Sequence, residues 1–104
     1  MYKMFIDDER FPPKDGEDWK IARNLKEVQN LVLTQGMPSF ISFDHDLGED
    51  EPTGYDVTKW LIEKELDGEI TFPSGFSFYV HSQNPIGKVN IEGLLNRYLE
   101  VINR

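Results

Sequence analysis

The chain has no cysteine. That excludes disulfides, a thiolate nucleophile and cysteine-based metal sites, and it suits a cytoplasmic protein. Long apolar runs are lacking as well. No stretch approaches the roughly 20 residues that a membrane-spanning helix needs. The N-terminus, with one lysine and no extended apolar core, does not read as a signal peptide. Basic residues are few: 11 Lys and Arg stand against 19 Asp and Glu, a formal charge of -8 over 104 residues. A surface of that sign has no general attraction for nucleic acid, whose binding is dominated by phosphate contacts. Any phosphate must be met locally, by a cation, by backbone N–H groups or by a bound metal. Repeats, low-complexity tracts and linkers are absent. The length fits one domain, residues 1–104, able to bury its own core.

What is present is one design used three times: a short apolar run that stops at polar chemistry. Tyr2 to Ile6 runs into Asp7, Asp8, Glu9 and Arg10. Phe40 to Phe43 runs into Asp44, His45, Asp46, Leu47 and Gly48. Phe76 to Val80 runs into His81, Ser82, Gln83 and Asn84. Apolar runs of this length between turn residues read as buried strands. In open α/β sheets, ligands bind at the carboxyl ends of the strands, where these polar groups fall.

The rest of the chain supplies the alternation. Lys3 is the only charge in the first run, so that strand is expected to be central and covered on both faces. Pro12, Pro13 and the pair Asp15-Gly16 make the following stretch a loop. Trp19 to Arg23 reads as a short second strand. Asn24 with Glu27 forms a capping signal, and Leu25, Val28, Leu31 and Val32 recur at helical spacing until Gly36 and Pro38. Thr53 with Asp56 opens a second helix, with Val57, Trp60 and Leu61 on its apolar face and an end near Gly68. Ile70 and Phe72 extend it before Pro73. Asn84-Pro85 opens a third. Its stripe of Ile91, Leu94, Leu95, Tyr98, Leu99 and Ile102 is the most regular in the chain. Strand, loop, strand, then three helix-bearing units imply an open parallel sheet, α/β in class. With right-handed crossovers and strand order 2-1-3-4, the two internal helices share one face. The long last helix is then expected to cross to the other, giving helices on both faces.

In that order the first and third strands are neighbours, so Asp7, Asp8 and Asp44 converge. Carboxylates held that close stay ionised only beside a cation, or one of them takes a proton. Oxygen ligands on a rigid frame suit Mg²⁺ completed by a substrate phosphate. Acidic residues also cap strands and helices without any metal. His45 and His81 are the only histidines, and both fall at strand ends. An imidazole pair can move protons on a phosphodiester, one activating water and the other protonating the leaving oxygen. Asp44 or Asp46 is placed to orient a ring. Arg10 is a bidentate phosphate clamp or a surface arginine. Ser82 and Asn84 hold phosphate together with N–H groups at the helix start, or cap the helix. Lys88, one turn on, is a weaker candidate for the clamp.

These residues resemble a response-regulator receiver domain, of flavodoxin-like fold. Asp44 falls at the phosphoacceptor position, Asp7 and Asp8 at the Mg²⁺-binding pair, and Thr53-Gly54-Tyr55-Asp56 is similar to the start of the receiver's third helix. The first receiver helix is replaced by the loop from Phe11 to Asp18. The fifth strand and its lysine are not found, which argues against phosphorylation of Asp44 as a signalling switch. Phe5 to Arg10, Phe43 to Gly48 and His81 to Gly87 together are similar to the cyclic-phosphate processing receiver family. That resemblance implies RNA repair, acting on 2′,3′-cyclic phosphate ends of RNA or nucleotides. It implies a divalent cation on Asp7, Asp8 and Asp44, proton transfer by His45 and His81, and phosphate held by Arg10, Ser82 and Asn84. The rival expectation is a non-catalytic receiver-like module that binds a protein partner through the last helix.

Overall fold

Four short runs pair into one sheet in the computed structural model, which describes residues 1–103. They are β1 (Lys3–Ile6), β2 (Trp19–Ala22), β3 (Phe40–Phe43) and β4 (Ser77–Val80), all parallel, in the order β2-β1-β3-β4. The expected strands were each up to a residue longer. Tyr2 and Phe76 fall just outside the ladder yet are buried, because their side chains extend the core. The helices are α1 (Leu25–Gln35), α2 (Gly54–Leu66) and α3 (Pro85–Ile102). Each has the predicted cap. Asn24 accepts from the Glu27 N–H, Thr53 and Asp56 form a reciprocal capping box, and Asn84 accepts from the Gly87 N–H behind Pro85. Side-chain caps satisfy N–H groups that a helix start leaves without partners. No described helix is long and apolar enough to cross a membrane.

Register decides the two faces of the sheet. Side chains alternate along a strand, so Met4, Ile41 and Phe78 share a face with Ile6, Ala22, Phe43 and Val80. That face packs with Val28 and Val32 of α1, Val57 and Leu61 of α2, and Ile91 and Leu95 of α3 in a single apolar cluster. All three helices therefore lie on one side. The expected crossing of α3 to the opposite face does not occur. The start of α3 is held beside the end of β3, where the His45 ring fills the space over Gly87. From there Ile91 and Leu95 run into the common core, while Leu94 stays only half-buried. The extension at Ile70 and Phe72 is buried as expected, with Phe72 against Phe76 and Tyr98.

The other face carries no helix. Phe5, Trp19, Ile21, Phe40, Ser42 and Tyr79 project from it by the same alternation. Phe5 is nevertheless buried. An aromatic row shields it: the His81 ring stacks flat on Phe5 at 4.6 Å, the edge of Trp19 meets it at 6.0 Å, and Trp19 in turn meets Phe40. The Lys3 ammonium lies 5.6 Å and 5.3 Å from the Trp19 and Phe40 rings. The second covering expected for β1 is thus supplied by side chains, not by a helix.

Candidate functional site

The ladder runs one residue past three strands. Asp7 N–H donates to Ala22 O at 3.2 Å, Asp44 N–H to Ile6 O at 2.9 Å, and His81 N–H to Phe43 O at 2.9 Å. These bonds set Asp7, Asp44 and His81 side by side at the carboxyl edge of β1, β3 and β4. One carboxylate oxygen from each aspartate and one imidazole nitrogen lie within 4.8 Å of one another. Both aspartates are buried and His81 is half-buried.

Each side chain is held from more than one direction. The Asp7 Oδ1 accepts from the backbone N–H groups of Glu9 at 2.9 Å and Arg10 at 2.8 Å. Its Oδ2 meets Arg10 Nε at 2.9 Å and His81 Nε2 at 3.0 Å. The Asp44 Oδ1 accepts from His45 N–H at 2.8 Å, and Arg10 Nη2 lies 3.6 Å from its Oδ2. His81 Nδ1 pairs with Ser42 Oγ at 2.7 Å. A hydroxyl donates or accepts, so Ser42 serves either tautomer of the ring. Burial works to raise the Asp7 pKa, but the two backbone N–H groups, the His81 contact and the Arg10 charge outweigh it and hold the carboxyl at about 2. Burial works to lower the Arg10 pKa; Asp7 and Asp44 overcome it and raise the value.

A cleft of about 800 Å³ opens above this cluster, lined by Asp8, Glu9, Arg10, Asp44, Asp46, Gly48, Glu49, Ser82, Gln83 and Asn84. Asp8, expected as a metal ligand, is exposed on the cleft wall and stands outside the cluster that Asp7, Asp44 and His81 form. His45 occupies the neighbouring position. Its Nδ1 pairs with Asp46 Oδ1 at 2.9 Å, and Asn84 Nδ2 approaches the same nitrogen at 3.4 Å. Asp46 is thus the carboxylate that orients this ring. Asn84 caps α3, as the capping reading expects, and Ser82 accepts from Asn84 N–H at 3.0 Å just before the helix; both also line the cleft. Lys88 reaches the Tyr79 ring, 5.8 Å from its centroid, and does not line the cleft.

Two contributors went unread in the sequence. Ser42 is the one polar residue of β3, two positions before Asp44, and alternation puts it on the same side. That signal was available. Arg23 follows β2 and donates through Nη1 to the carbonyls of Asp7 at 3.0 Å and Arg10 at 2.6 Å, tying down the turn from Asp7 to Arg10. Nothing in a lone arginine after a strand announces that.

The sequence matches the family model for the cyclic-phosphate processing receiver domain over residues 2–97. No curated protein and no solved structure matches the chain. The family match covers nearly the whole chain, and the protein belongs to that family.

Proposed function

We propose that this cyclic-phosphate processing receiver domain is a metal-assisted phosphohydrolase that opens the 2′,3′-cyclic phosphate at an RNA end or on a nucleotide. The observation that carries the reading is the meeting of Asp7, Asp44 and His81, from three separate strands, beneath a cleft whose wall offers Arg10. Burying two carboxylates beside an imidazole carries a desolvation cost, and the place where it is accepted is the carboxyl edge of the sheet, where open α/β sheets bind their ligands.

The donor set fits a divalent cation. In each aspartate one oxygen is tied to backbone N–H, which aims the other at the shared centre. The two carboxylates suit Mg²⁺ or Mn²⁺. When bound, such an ion supplies charge for the phosphoryl oxygens and acidity for a water molecule. This chain's own residues do the rest. Arg10 offers paired N–H donors to phosphate. Ser42 fixes the His81 ring, and that ring moves a proton between water or the ribose oxygen and solvent. His45, held by Asp46 and Asn84, which both line the cleft, is the candidate for the complementary transfer. Water adds to phosphorus, one P–O bond to the ribose breaks, and the ribose oxygen leaves with a proton, giving a 2′- or 3′-monophosphate.

The test is an oligonucleotide ending in a 2′,3′-cyclic phosphate, followed by phosphorus NMR with Mg²⁺ or Mn²⁺ and again with EDTA. Turnover is expected with metal, and a loss of roughly 10²-fold or more in His81→Ala and Asp44→Asn. No hydrolysis under any of these conditions would remove the enzymatic reading. The second reading, a protein-binding module, has its own support: the first turns of α3 leave Ile86 and Val89 exposed. A partner retained by the wild type and lost in Ile86→Glu would favour it. Stable labelling of Asp44 by a small phosphodonor would instead indicate a signalling receiver.

A further inference from the structure

Arg10 stands where the cation of the proposed reaction has to go. Its Nε bonds Asp7 Oδ2 at 2.9 Å, and its Nη2 lies 3.6 Å from Asp44 Oδ2. The opposite oxygens of both carboxylates are committed to backbone N–H groups. The oxygens left for a metal are the two that the guanidinium already spans. Two positive charges a few ångströms apart on the same pair of oxygens repel.

We propose that Arg10 is a tethered cation that exchanges with the metal: metal entry displaces its guanidinium from Asp7 and Asp44 and delivers it to the substrate phosphate. The proposal rests on the metal-assisted reading above and deepens it. Three further observations carry it. The Arg10 side chain is 45% exposed, unlike the aspartates it holds, so it has room to swing. Its backbone is pinned, the N–H by Asp7 and the carbonyl by Arg23, so the exchange moves the side chain alone. It is also the only Arg, Lys or His among the residues lining the cleft, whose wall is otherwise acidic or neutral. Without metal, Arg10 offsets part of the charge of two close carboxylates. With metal, the same guanidinium becomes free to grip phosphate. Phosphate affinity therefore depends on metal occupancy, and by linkage the dependence is reciprocal.

The experiment is calorimetric titration with Mn²⁺ alone on wild type, Arg10→Gln and Arg10→Lys, with folding checked by circular dichroism. Removing the competing charge is expected to tighten Mn²⁺ roughly three- to tenfold in Arg10→Gln. Arg10→Lys keeps the charge but loses the fork that spans both carboxylates, and falls between. Inorganic phosphate should bind the wild type more tightly in Mn²⁺ than without it, a gain lost in Arg10→Gln. Equal or weaker Mn²⁺ binding by Arg10→Gln overturns the exchange while leaving the metal site standing. No Mn²⁺ binding by any of the three proteins removes the metal reading and the exchange with it. The wild type gives a check that needs no variant. The Arg10 Nε–H resonance should shift when Mg²⁺ is added, and an unmoved signal under saturating Mg²⁺ counts against displacement.

Discussion

Asp7 makes four polar contacts through one buried carboxylate, to the N–H groups of Glu9 and Arg10, to the Arg10 side chain and to His81. Every one of them favours the ionised form, and together they overcome burial to bring its pKa from 3.8 to about 2. A carboxyl depressed on folding adds stability that is fully present above its unfolded value and is lost as the pH falls through the folded one. The window is therefore pH 4 down to pH 2, and the linked stability is about 2 kcal/mol. Urea unfolding at pH 5 and pH 2 should show that loss in the wild type and a flatter profile in Asp7→Asn. A parallel acid response in the two proteins would assign the loss to other groups. At this scale the sequence was most legible where a residue type is rare. Two histidines and two aspartates after apolar runs could be placed at one edge from spacing alone. Which atoms meet was not legible. Asp8 and His45 are adjacent in sequence to residues of the cluster, yet the chain turn after β1 and the contact with α3 carry them elsewhere, and Ser42 takes up a role that a strand serine does not advertise.

Elements meet the site through two glycines that need closeness, not flexibility. Neither has a positive backbone φ. A Cβ on Gly54 would lie 2.1 Å from the Asp44 carbonyl oxygen, and Gly54 N–H donates to His45 O at 2.7 Å, so the first turn of α2 presses on the backbone that carries the cluster. A Cβ on Gly87 would lie 2.2 Å from Cγ of His45, in the first turn of α3. Backbone cannot retreat as a ring can. Gly54→Ala should cost about 3 kcal/mol or more, whereas Gly87→Ala should cost roughly 1–3 kcal/mol. The second loss should shrink when His45→Ala removes the ring, a coupling that a double-mutant cycle in denaturant measures. Additive losses would mean that the ring and the helix start do not share that space. The three helices and their caps were readable because capping chemistry and apolar period agree at Asn24, Thr53 and Asn84. The path of α3 was not, because an apolar stripe says which side of a helix is buried and not which face of the sheet it covers.

Over the whole molecule, charge and covering are uneven in a way that bears on how the proposed RNA substrate would be met. The helices share one face, and the opposite face is finished by an aromatic row with Lys3 above it. Lys3 there already faces Glu17 at 3.6 Å. The chain carries -8, and the cleft offers one guanidinium. An RNA end is therefore expected to be held at its terminal phosphate and nowhere else. Counterion release then sets the salt response: one phosphate neutralised on a single strand gives log K against log salt a slope of about -0.7. Oligonucleotides of two and of ten residues with the same cyclic end should bind alike, with that shallow slope, when titrated by fluorescence anisotropy at constant Mg²⁺ into the His81→Ala protein, which is expected not to turn them over. An affinity that climbs with length, with a steep salt slope, would place further phosphates on the protein. Lys3 on the open sheet face would then be the first residue to change, since no other cation lies over that face within reach of the Trp19 and Phe40 rings among the described residues.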